Sequence, residues 1–128
     1  MSSFQARVYE WMKDCFKKPD ALLPEHRAFR FIEEALELVQ AIGTSRADVL
    51  RVVEYVYARP PGEDAQEIGG VMVTLAGLAT SRALILNDCA DEELSRCLSN
   101  SERIREKDLA KPQRSALPGF ANDTGVKG

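Results

Sequence analysis

Apolar residues recur at helical spacing along most of the chain. From Phe4 to Phe16 they fall at Phe4, Val8, Trp11, Met12 and Cys15, one side of a helix. Pro19 and Pro24 bracket a break. Pro24 suits the first turn of a second helix, where its missing N–H costs nothing. That helix runs to about Ile42, with Phe29, Ile32, Leu36 and Val39 on one side and Ala35 and Ile42 beside them. Gly43 offers a left-handed stop, and Thr44-Ser45 a new cap with Asp48 three residues after Ser45. A third helix extends to about Ala58. Its β-branched and aromatic run, LeuArgValValGluTyrValTyr, is also compatible with strand, but its length and cap favour helix.

Residues 59–64, ArgProProGlyGluAsp, are a loop, since two prolines and a glycine do not continue a helix. A fourth helix starts near Asp64 and runs to about Leu84, with Ile68, Val71, Met72 and Leu75 as its core side. A fifth, capped by Asn87 or Asp88, continues to about Asp108. The expected fold is all-α, a bundle of four or five helices over residues 1–111. Residues 112–128, rich in proline, glycine and small polar side chains, read as a flexible tail.

With 128 residues and 14.2 kDa there is room for one domain with a core. The net charge is -3, which argues against binding polymeric nucleic acid through its phosphates. The charge is uneven. Residues 1–62 are balanced, residues 63–102 carry a net of -6, and residues 103–128 carry +3. Cys15, Cys89 and Cys97 are odd in number and form no Cys-x-x-Cys pair, so a reducing compartment is expected and the three thiols read as packed small side chains. No run has the length of a signal peptide or a membrane span, because Arg82 interrupts the most apolar region. The expectation is a cytoplasmic protein without a membrane partner. His26, the one histidine, reads as a surface residue near a helix start.

The chemistry concentrates in residues 30–42. Glu33, Glu34 and Glu37 share a sector of the second helix with Arg30, away from its apolar side. Three like charges so close weaken an isolated helix, a cost that solvent, Arg30 or a divalent cation offsets. Glu67 lies on the fourth helix, followed by Gly69 and Gly70, each of which costs up to about 1 kcal/mol relative to Ala inside a helix. Such glycines mark the close approach of another helix or of a ligand. If the second and fourth helices are antiparallel neighbours, Glu67 faces the other three acids, as in bundles that build metal sites from facing helices. With oxygen donors only, magnesium or manganese is favoured over zinc.

GluGluAlaLeuGlu at 33–37, followed after a loop by Glu67-Ile-Gly-Gly70, resembles the all-α nucleoside triphosphate pyrophosphohydrolases of the MazG type, whose pattern is Glu-Glu-x-x-Glu on one helix and Glu-x-x-Asp on another. The resemblance spans roughly residues 4–108, and PheGlnAlaArgValTyrGluTrp looks like the start of small phage and bacterial members. It implies magnesium-dependent hydrolysis of an NTP or dNTP to the monophosphate and pyrophosphate, in the service of nucleotide-pool cleansing. Glu34 and Glu37 match the acid pair of the first motif and Glu67 the first acid of the second, as metal ligands. Glu33 matches the preceding acid, as a further ligand or a residue orienting water. Gly70 stands where the family places Asp. The resemblance also implies association into a homodimer or homotetramer.

Asn100, Arg103 and Lys107 follow one another at spacings of three and four on the expected fifth helix. They loosely resemble the family's Asn-x-x-Lys-type stretch, with Arg103 in the Lys place. They are candidates for the outer phosphate oxygens, with Lys111 and Arg114 as further cations and Trp11 as a platform for a base. Each feature has a plainer counterpart. The acids can be a solvated helix face, the glycines a helix–helix contact, Trp11 a core anchor and the basic stripe a soluble surface. Two other functional classes stay open. One is a helical module that binds nucleotide or protein with little catalysis, Gly70 marking the lost ligand. The other is a structural helical oligomer.

Overall fold

A computed structural model of the chain describes residues 3–16 and 22–110. They form six helices and no strand: α1 (Phe4–Cys15), α2 (Pro24–Ile42), α3 (Arg46–Tyr57), α4 (Asp64–Ser81), α5 (Leu86–Ser99) and α6 (Ser101–Ala110). The all-α class holds. The helix count exceeds the expected four or five because the segment after Asn87 breaks at Asn100 and makes two helices. The expected tail, 112–128, and the candidate cations Lys111 and Arg114 lie outside the described residues, as does Pro19. No single helix among the described residues is long and apolar enough to cross a membrane.

Local chemistry sets the helix ends. Ser3 caps α1, its Oγ accepting from the Ala6 N–H at 3.1 Å. Pro24 opens α2 and Gly43 follows it at φ 108°, a backbone geometry that glycine alone adopts freely. Ser45 caps α3 by accepting from the Asp48 N–H at 3.1 Å. α4 ends three residues before the expected Leu84, since Ala83 takes a left-handed φ of 57°. There the Leu84 N–H donates to Ala79 O (2.9 Å) and the Ala83 N–H to Thr80 O (3.0 Å). These two bonds make a Schellman stop with alanine in the usual glycine place.

The chain divides into two compact units, Met1–Ile42 with Ser95–Gly128, and Gly43–Leu94. In the first, α1 packs on α6. The Trp11 Nε1–H donates to Ser101 Oγ at 3.0 Å, and the buried Cys15 thiol donates to Ser101 O at 3.3 Å. Arg105 donates from Nε to Cys15 O and from Nη2 to Asp14 O, satisfying carbonyls at the end of α1. Trp11 meets Phe16 edge-on at 5.3 Å between centroids.

The second unit differs in kind. α3 and α4 bury none of their residues. The expected core side of α4 is open: Ile68, Val71 and Met72 are exposed and Leu75 is half-buried. On α2, Ile32 and Leu36 are exposed while Phe29 and Val39 are half-buried. The expected core sides of α2 and α4 are thus largely uncovered, since an apolar face is a core only where another element packs on it. Cys89 is exposed and Cys97 half-buried, so only Cys15 is the packed thiol expected of all three.

Candidate functional site

α2 holds the first acidic set. Glu33 is half-buried, and Glu34 and Glu37 are exposed. Glu33 and Glu37 lie one turn apart, and Glu34 and Glu37 three residues apart. These three belong to the first unit and Glu67 to the second. Glu67 sits in the first turn of α4, where a carboxylate is favoured by the helix dipole. Its side chain folds back over Gly62, so closely that a Cβ on that glycine would meet Glu67 Oε2. Gly62 thus makes room for the glutamate. Gly70 lies one turn further along α4, and a Cβ there meets nothing within 4 Å.

Hard carboxylate oxygens suit magnesium, which takes one or two protein carboxylates and completes its shell with water and phosphate oxygens. The exposed pair Glu34 and Glu37 fits that mode. Among the described residues no three His, Cys, Asp or Glu side chains converge as a metal-holding group.

The basic candidates fall differently from the expected single stripe. Asn100 is the turn between α5 and α6. Its Nδ2 donates to Arg96 O at 2.9 Å, and its carbonyl accepts from the Ile104 N–H at 2.9 Å. Arg103 and Lys107 are both exposed, one turn apart on α6. Asn100 is therefore a helix-joining residue, and only Arg103 and Lys107 share a helical face. Trp11 is half-buried, with its indole N–H already donated to Ser101.

A second polar group, only half of it signalled by spacing, lies between α2 and α6. His26 is buried, contrary to its expected surface place, and Asp108 is buried opposite it. Arg30 Nη2 lies 3.3 Å from Asp108 Oδ1 and 3.3 Å from His26 Nε2, and His26 Nε2 is 3.9 Å from the same carboxylate oxygen. Arg27 stacks over the Phe16 ring at 5.2 Å, and its Nε and Nη2 are buried without a hydrogen-bond partner. Burial pulls the Arg27 guanidinium below its usual pKa; Asp108 opposes that shift and Arg30 adds to it. One carboxylate thus serves two guanidiniums and an imidazole. The spacing of His26 and Arg30 by four residues was a visible signal; their partner 78 residues on from Arg30 was not.

Comparison with protein-family models, curated proteins and solved structures finds no match.

Proposed function

We propose that the protein is a MazG-like, magnesium-dependent nucleoside triphosphate pyrophosphohydrolase that removes unwanted NTPs or dNTPs from the cytoplasmic pool, working as a homodimer or homotetramer. Support comes from the order of the acids and the elements that carry them: Glu33, Glu34 and Glu37 on α2, then Glu67 in the first turn of α4. Bound magnesium supplies charge neutralisation on the triphosphate and activation of water. Glu34 and Glu37, three residues apart on α2, are assigned to hold it. Glu33, adjacent in sequence and half-buried, is assigned to orient the attacking water. Arg103 and Lys107 are assigned to the outer phosphate oxygens, with Asn100 at the turn beside them and Trp11 against the base.

The test is pyrophosphate release from a panel of NTPs and dNTPs with magnesium, by wild type and by Glu37→Gln. The expected result is release that Glu37→Gln lowers by about 10²-fold or more. Magnesium also raises the wild-type Tm and leaves that of Glu37→Gln unchanged. Release from none of the nucleotides, together with a magnesium-insensitive Tm, overturns the proposal.

Gly70 supports a second reading, a nucleotide-binding module with little turnover. A Cβ at this position meets nothing within 4 Å, so a side chain can be introduced there. If the missing ligand limits catalysis, Gly70→Asp raises the rate. If wild type already turns over fully, Gly70→Asp leaves it unchanged or lowers it. Nucleotide binding without pyrophosphate release in both proteins assigns the chain to the binding module.

A further inference from the structure

His26 is the one histidine of the chain and lies almost fully buried in the first turn of α2. Its Nε2 stands 3.3 Å from Arg30 Nη2. A guanidinium donates and never accepts, so this contact is a hydrogen bond only when Nε2 carries a lone pair. The arrangement therefore calls for the neutral ring, with its proton on Nδ1. The same Arg30 nitrogen donates to Asp108 Oδ1 of α6 at 3.3 Å, and His26 Nε2 is 3.9 Å from that oxygen. Arg30 is thus fixed on its own helix by His26 and tied to α6 through Asp108.

The charged groups of this cluster are Arg27 and Arg30 from α2 and Asp108 from α6. α1 contributes the buried Cys15 thiol, engaged with Ser101 O, and is followed by Phe16, whose ring packs against Arg27. Two guanidiniums already share one carboxylate. A proton on His26 Nε2 adds a third cation. It removes the acceptor that Arg30 uses, sets two positive charges 3.3 Å apart and makes His26 and Arg30 rivals for one Asp108 oxygen. Attraction of the imidazolium to Asp108 acts over the longer distance, 3.9 Å, and offsets that repulsion only in part. Burial and the Arg27 charge act against the added proton as well. We propose that His26 is an acid-sensitive latch: as the neutral ring it fixes Arg30 on Asp108 and fastens α2 to α6, and on protonation at Nε2 it releases α6. The folded cluster takes the deprotonated ring. The latch is therefore closed above the ordinary histidine range, about pH 6.5, and opens as pH falls below it. It holds whether or not the protein hydrolyses nucleotides, since its readouts are a ring proton and amide exchange.

Two measurements on the full chain test it. The first is ¹⁵N–¹H NMR of the imidazole, free of overlap because the chain has one histidine. At about pH 7.5, above the ordinary histidine range, the ring is expected to be neutral with Nε2 unprotonated. A proton on Nε2 there overturns the proposal. The second is amide hydrogen exchange at about pH 7 and about pH 5.5, corrected for the intrinsic pH dependence of exchange. His26 is the one side chain in the sequence whose ordinary pKa falls in that interval. Protection of α6 is expected to fall about three- to tenfold toward the lower pH, one proton giving at most about tenfold per pH unit, while that of α3 holds. His26→Gln offers Arg30 a carbonyl acceptor that does not protonate in this range, so its α6 protection is expected to stay constant. Wild-type protection of α6 that does not change with pH overturns the proposal, and so does a folded His26→Gln that keeps the wild-type dependence. If circular dichroism shows that His26→Gln loses its helices, the two wild-type measurements decide.

Discussion

The two units of this chain are built from the same kind of helix but stabilised by different means. In the first, α1, α2 and α6 are tied by interactions between residues far apart in sequence: Trp11 to Ser101, Cys15 to Ser101, Arg105 to the end of α1 and Arg30 to Asp108. In the second, α3 and α4 have a side-chain cap and a Schellman stop respectively, yet bury no residue. The contrast separates two questions that amphipathic patterning merges. Whether a segment becomes helical is decided by spacing, caps and stops. Whether its apolar face becomes a core is decided by what covers it.

Removal of the shared acid in the first unit has the largest expected effect. Asp108→Asn leaves Arg30 and the half-buried Arg27 without their common counter-charge, with His26 buried beside them. Breaking a buried charge pair from one side costs about 3 kcal/mol. The expected result is a fall of that size in urea-unfolding stability, with lost amide protection in α1, α2 and α6. If the loss is below about 0.5 kcal/mol, a typical surface-substitution effect, the first unit is not organised around this carboxylate.

Gly43→Ala comes next. The φ of 108° at this position disfavours any side chain, although there is open space around a Cβ. The cost is backbone strain alone, about 2 kcal/mol. It falls in the three-residue connection between α2 and α3. An unchanged melting curve would mean that the junction relaxes into another conformation at no cost.

Ser45→Ala tests the second unit through its cap. The Ser45 hydroxyl satisfies one of the unpaired N–H groups at the start of α3, and its loss costs about 1 kcal/mol. Since α3 has no buried side chain to compensate, the expected readout is local: faster hydrogen exchange of α3 amides, with those of α1 and α6 unchanged.

The sequence reveals the local side of this contrast and conceals the other. Pro24, Gly43, Ser45 and the ArgProProGlyGluAsp loop announce their roles through residue chemistry, and the helix bounds they set agree with the structure to within a residue. The break at Asn100 is harder to read. Asn is an ordinary helix-interior residue by spacing, and its closure on Arg96 O is a choice between two local hydrogen-bonding patterns. His26 is harder still, because its burial depends on Asp108, contributed by a helix at the other end of the described chain. The acids show the same division. Their placement on α2 and at the start of α4 follows from periodicity, whereas convergence on a cation is a non-local property that no spacing encodes.

The smallest effect has a sign that local physics alone decides. Ala83 ends α4 at φ 57°, in a position where glycine is usual. An alanine there carries about 1–2 kcal/mol of strain between its Cβ and the backbone. Ala83→Gly removes that strain but gives the unfolded chain more freedom, which returns about 0.5–1 kcal/mol to the unfolded state. The difference favours glycine by about 0.5–1 kcal/mol. The Leu84-to-Ala79 and Ala83-to-Thr80 bonds are retained, since both use backbone groups. A gain of that size, seen as slower exchange of the last α4 amides, shows that stability in this unit responds to backbone preference even where no side chain is buried. A loss instead means that the Ala83 methyl group makes a favourable contact, and the second unit then owes more to packing than its exposed helices suggest.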